Sequence, residues 1–125
     1  MTKQETRSKV LDAFKELRKM GFLARANFLC CQNCAGYDLT KRAVKLVNKG
    51  RDVKGCVFWH GRDEENYKNY GEWFLAFGQL ESDIKGNIGL PSKEVGEIVV
   101  KELKKRNVNV EWNGDPNTRI KIKSD

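Results

Sequence analysis

The apolar residues of this chain change period along its length, and that change restricts the fold more than any other feature. Toward the N-terminus Val10, Leu11, Phe14 and Leu17 recur every three to four residues, the spacing of one helix face. Toward the C-terminus Val108, Val110 and Trp112, then Ile120 and Ile122, alternate with polar residues, as half-buried strands do. Both periods in one chain point to a mixed class.

Local signals divide the sequence further. Thr2 and Glu5 have capping-box spacing and Gly21 is a helix stop, which predicts a first helix over Lys3 to Met20. Phe22 to Tyr37 shows no sustained period and reads as a loop between helices. Ala43, Val44, Leu46 and Val47 mark a short second helix ended by Asn48-Lys49-Gly50. Gly55 to Trp59 and Glu72 to Leu80 are rich in β-branched and aromatic residues and read as two antiparallel strands, joined by a long polar connection from Gly61 to Gly71. Pro91-Ser92 opens a third helix carrying Val95, Ile98, Val99 and Leu103 on one face. Asn113-Gly114-Asp115-Pro116-Asn117 supplies the turn of a C-terminal hairpin.

The resulting order, α-α-β-β-α-β-β, contains no βαβ crossover. It predicts an α+β two-layer sandwich, with a four-stranded, mainly antiparallel sheet and helices on one face. Val99 and Leu103 should then be buried against Val110 and Ile122. A length of 125 residues suits one domain spanning 1-125.

Hydrophobic residues make up 39% and charged residues 33%, a balance that favours a folded chain over a disordered one. No apolar stretch approaches the roughly 20 residues of a membrane-spanning helix, and Met-Thr-Lys-Gln-Glu begins no signal-peptide core. The expectation is a cytoplasmic protein with no membrane partner and with reduced thiols. Twenty-four Lys and Arg against seventeen Asp and Glu give a net charge of +7. The basic groups, at Lys41-Arg42, Lys101 to Arg106 and Arg119 to Lys123, do not visibly cluster. A nucleic-acid face would have to join Lys101, Lys104, Lys105, Lys121 and Lys123.

The thiols carry the strongest chemical signal. Cys31-x-x-Cys34 has the spacing of a zinc knuckle, and Cys30 with the sole histidine, His60, completes a four-ligand set. The competing reading is that these cysteines pack as small buried hydrophobes. A third makes Cys31 a nucleophile, with His60 as base oriented by Asp63. A redox role for Cys31 and Cys34 would need the motif to open a helix inside a βαβ unit, which the order above lacks. Asp63, Glu64 and Glu65 suit a helix or loop start, where carboxylates meet the positive end of the dipole. Trp59, Trp73, Phe74, Phe77 and Trp112 read as core rather than as a base-stacking platform. Gly86-Asn87-Ile88-Gly89 lacks the Lys-Ser/Thr of a phosphate loop.

Three stretches resemble a bacterial domain family of unknown function: Ala24 to Cys34 with its Cys-Cys-Gln-x-Cys segment, Val57-Phe58-Trp59-His60 with Asp63, and Phe74 to Gly78. The C-terminal Val108 to Gly114 and Arg119 to Ile122 are similar to it too, so the likeness spans nearly the whole chain. The resemblance implies one domain, marks Cys30, Cys31, Cys34, His60 and Asp63 as motif positions, and carries no activity. Cys56 stands where such proteins have an aromatic residue. The expected function is a small binding or regulatory protein acting through a macromolecular partner, a protein first and nucleic acid second. A structural zinc is one accompaniment, and a phage or prophage inhibitor would fit the size and Lys-rich composition. The alternative is a cysteine-dependent enzyme using Cys31 and His60.

Overall fold

The structure, a computed structural model, describes residues 2–28 and 32–124, and of residues 32–35 the backbone alone. Helix α1 (Lys3–Met20) begins as its sequence requires: the Glu5 amide donates to Thr2 Oγ1 at 3.1 Å. It ends at Gly21, whose φ of 105° is left-handed backbone that glycine adopts without a Cβ clash.

The next residues depart from the expected loop. Strand β1 (Phe22–Arg25) leads toward α2 (Gln32–Asn48), and β2 (Gly55–Phe58) pairs with β1 in parallel, Phe22 opposite Gly55 and Arg25 opposite Phe58. This is a βαβ unit, which corrects the order read from the sequence. β1 hides because it is buried on both faces, so Phe22-Leu23-Ala24 runs apolar without alternation.

A third helix, α3 (Gly61–Tyr70), occupies the polar stretch expected to be a connection. Its buried positions are Asp63, Glu64 and Tyr67, so its inward side is largely charged and gives no apolar period. Strand β3 (Glu72–Gly78) pairs antiparallel with β2, as expected. A small hairpin of β4 (Leu80–Ser82) and β5 (Gly86–Ile88) precedes α4 (Ser92–Lys105). Strands β6 (Asn109–Glu111) and β7 (Ile120–Lys123) form the expected hairpin, with β7 beside β3.

Among the described residues the main sheet is thus five-stranded and mixed, in the order β1-β2-β3-β7-β6, with β4-β5 as a separate two-stranded sheet. Both faces are covered rather than one. Phe22, Ala24, Val57, Trp59, Trp73, Leu75, Ile120 and Ile122 turn to one core with α1, α4 and Tyr67 of α3. The alternate residues Leu23, Cys56, Phe58 and Ala76 meet Leu39 and Ala43 of α2 and Leu80 and Ile88 of the hairpin. Because neighbouring strand residues point to opposite faces, the two clusters lie on opposite sides of the sheet. Val99, Leu103 and Ile122 are fully buried in the first, with Val110 packed against it. Gly96 lets α4 approach closely, since a Cβ there would come 2.7 Å from both Phe77 and Trp112, a T-shaped pair 5.4 Å apart.

Candidate functional site

Parallel strands β1 and β2 end side by side, and the helices that follow them go to opposite faces: α2 to one core, α3 to the other. In open α/β sheets the crevice at such a reversal, outside the C-terminal strand ends, is where ligands bind. His60 sits there, two residues beyond β2, as the N-cap of α3. The cysteine segment follows the end of β1. The described chain reaches this point from that side too, for the Phe28 amide donates to the Trp59 carbonyl at 2.8 Å.

His60 is 7% exposed and Asp63, one turn into α3, is 2% exposed. Asp63 Oδ2 collects three approaches. The His60 amide donates to it at 3.3 Å, His60 Nε2 stands 3.2 Å away, and Arg119 Nη2 donates at 2.6 Å. Arg119 also donates to the Phe74 carbonyl at 2.9 Å and lies over the Phe74 ring. A carboxylate oxygen beside Nε2 favours the tautomer with its proton there, leaving the Nδ1 lone pair bare. Burial lowers the His60 pKa; Asp63 opposes the shift, and the Arg119 and Arg62 cations add to it. The ring is thereby held toward its neutral form.

His60 and Asp63 form a capping box in which the Asp63 amide faces the His60 side chain and the His60 amide faces the Asp63 carboxylate, and buried Nδ1 makes no full hydrogen bond beyond that approach. Arg119 Nε is likewise buried and unpaired. A buried, unprotonated imidazole nitrogen whose ring is fixed by a carboxylate can ligate a metal or accept a proton from a thiol.

The next residue along α3 makes a different network. Glu64 Oε1 accepts from Arg7 Nη2 at 2.8 Å and Nε at 3.2 Å, and Oε2 accepts from Trp59 Nε1 at 3.0 Å. Trp59 is fully buried, 5.3 Å from Phe14 and 5.7 Å from Trp73. These contacts build the core and leave neither Glu64 oxygen free.

Of the site residues expected from sequence, His60 and Asp63 are brought together. Cys30 and Cys31 lie outside the described residues. Cys34 falls in the first turn of α2, its side chain also outside the description. Among the described residues no cluster of three or more His, Cys, Asp and Glu could hold a metal. Cys56 is 6% exposed in the second core, and burial pushes its thiol pKa up to about 12, which makes it a packing residue.

A family model described as "Domain of unknown function (DUF6891)" matches residues 3–125. The chain belongs to this family. No curated protein and no solved structure gives a significant match. In this DUF6891 member Arg119 is the site residue that sequence reading missed. It lies 56 positions from Asp63, among the basic C-terminal residues. The usable signal was Asp63 itself, since a carboxylate on the inner side of a helix needs a cation from elsewhere. The βαβ unit that a redox role for Cys31 and Cys34 would require is present. Among the described residues no helix is long and apolar enough to cross a membrane.

Proposed function

We propose that this DUF6891 chain is a small binding protein built around a structural zinc, held by the thiolates of Cys30, Cys31 and Cys34 and by Nδ1 of His60. The observation that carries the reading is the His60 ring: Nδ1 is buried without a partner while Asp63 stands at Nε2. Metal-binding histidines are commonly oriented in this way, with a carboxylate at the far nitrogen fixing tautomer and ring plane. Burial suits a closed structural site, which needs no open coordination position. The segment bearing the cysteines starts from Phe28, which is bonded to the residue before His60.

A second reading, thiol chemistry at Cys31 with His60 as base, gains from the βαβ unit, because Cys31-x-x-Cys34 spans the start of α2. A helix N-terminus lowers the pKa of a thiol placed there.

The test is metal content of protein purified without added zinc, with thiols titrated before and after chelation. The zinc reading expects about one zinc per chain and three thiols that become reactive only after chelation. Cys56 should stay unreactive throughout. Metal-free, stable protein would overturn it. A fast thiol whose reactivity falls on His60→Ala would then establish the nucleophile reading.

A further inference from the structure

The positive charge that looked scattered along the sequence is concentrated by the fold on one side of α2. A groove of about 410 Å³ beside β1 is lined by Arg25, Lys41, Arg42, Lys45 and Lys49 with one acid, Asp38. Arg42 engages that acid at 2.6 Å. An adjoining groove that shares Leu23, Arg25 and Leu46 adds Arg18 and Arg51 against Asp52. Seven cations thus line these two grooves against two carboxylates, in a chain whose net charge is +7, while on the side toward Tyr37 Lys41 and Lys45 also border Glu81 and Asp83. The alternative basic face is largely neutralised: Lys105 pairs with Glu102 at 2.9 Å, Lys121 with Glu72 at 3.2 Å and Lys123 with Glu111 at 2.9 Å.

Lys41 and Lys45 stand in one row, four residues apart on one side of α2, about 6 Å along its axis, and Lys49 follows in the turn just beyond the helix end. Tyr37 heads the same row, 70% exposed, with Lys41 Nζ 5.2 Å from its ring centroid. At the groove wall the Arg25 guanidinium is partly desolvated and crowded by Arg18 and Arg42, which makes a bound anion favourable there. A charged row ending in an exposed aromatic ring matches the way single-stranded nucleic acid is held, phosphates along cations and a base stacked on a ring. An acidic protein would satisfy the cations and leave Tyr37 without a purpose.

We propose that this face of α2 binds single-stranded nucleic acid through its phosphates, with Tyr37 stacking one base. The proposal does not depend on the zinc reading, and strand affinity is to be measured with and without chelator so that the two can fail separately.

The probe is a short fluorescein-labelled strand of mixed sequence, as DNA and as RNA, followed by anisotropy between about 50 and 200 mM salt. Binding should weaken steeply with salt for at least one of the two. The triple variant K41E/K45E/K49E should lose about tenfold or more in affinity, and its slope of log K against log salt should fall by about 2. K93E/K101E/K104E on α4 changes the net charge equally and should retain most of the affinity. Tyr37→Ala should cost about fivefold or more with the slope unchanged. No salt-dependent binding, equal loss in the two triple variants, tighter binding to the same strand annealed to its complement, or displacement of the strand by poly-glutamate at equal charge concentration would each overturn the proposal.

Discussion

Asp63 and Glu64 are adjacent on the first turns of α3, both buried carboxylates paired with an arginine from a distant element, yet their surroundings differ in one respect. Both Glu64 oxygens receive hydrogen bonds from Arg7 and Trp59, and that network is closed. Around Asp63 all the approaches converge on one oxygen, while His60 Nδ1 and Arg119 Nε are buried without partners. Buried polar groups in folded proteins are nearly always satisfied, and an exception calls for an explanation; a metal ion would satisfy the His60 lone pair, whereas the Arg119 N–H needs an acceptor. The difference places Glu64 in the core and makes the His60–Asp63 pair the place where the zinc proposal is tested.

The comparison breaks most visibly on metal removal. If the His60 centre holds zinc at about 1,000 times its Kd, chelation should cost about 4 kcal/mol, because binding to the folded state alone adds that much. For a domain of this size the melting temperature should fall by roughly 15 °C. In His60→Ala chelation should cost far less, which thermal melts of both proteins with and without chelator will show.

Glu64→Ala should come next, at about 3 kcal/mol, because it leaves the buried Trp59 indole N–H and the Arg7 guanidinium without their acceptor. The loss should be the same in the presence and absence of chelator. A loss that depended on metal would join the two networks into one and remove the contrast. Urea denaturation under both conditions measures it.

Asp63→Asn keeps the shape and removes the charge beside Nε2, so it should lower zinc affinity by about 10- to 100-fold, the usual cost of losing a ligand's carboxylate partner. Competition with a chromophoric chelator reads that change directly. An affinity equal to that of the unaltered protein would show that Asp63 serves Arg119 alone.

The smallest effect tests whether a closed network nearer the surface resembles that of Glu64. A hydrogen bond from Lys105 holds the Glu102 carboxyl below its ordinary pKa against desolvation, and Arg106 assists. A depressed folded pKa stabilises above the ordinary glutamate range and is lost as pH falls through it. Glu102→Gln should therefore cost well under 1 kcal/mol at neutral pH, since Lys105 is largely exposed. The gap from the unaltered protein should close toward about pH 3, in denaturation series across pH.

What the sequence disclosed follows from where periodicity exists. Helices α1 and α4 and the C-terminal hairpin each bury one apolar face, so their patterns are legible, and Thr2, Gly21 and Pro91 mark their limits. β1 and α3 escaped for opposite reasons. β1 is apolar on both sides, and α3 buries carboxylates that read as a solvated face. Missing β1 removed the βαβ unit and the second covered face with it. His60 and Asp63 could be paired from their three-residue spacing, whereas Arg119 comes from the start of β7, a proximity that only the sheet order β3-β7 creates. The clustering of charge was hidden likewise, because Arg18, Arg25 and Arg51 join the lysines of α2 only once β1 lies at the sheet edge.

Zinc binding as proposed requires His60 Nδ1 to be unprotonated, and His60 is the sole histidine, so its ring nitrogens can be observed without assignment. Long-range nitrogen–proton correlation spectra of chelated protein at neutral pH should show the neutral tautomer with its proton on Nε2. Addition of zinc should move the Nδ1 resonance to that of a metal-bound nitrogen and leave Nε2 protonated. A proton on Nδ1, or a spectrum indifferent to zinc, would contradict the account.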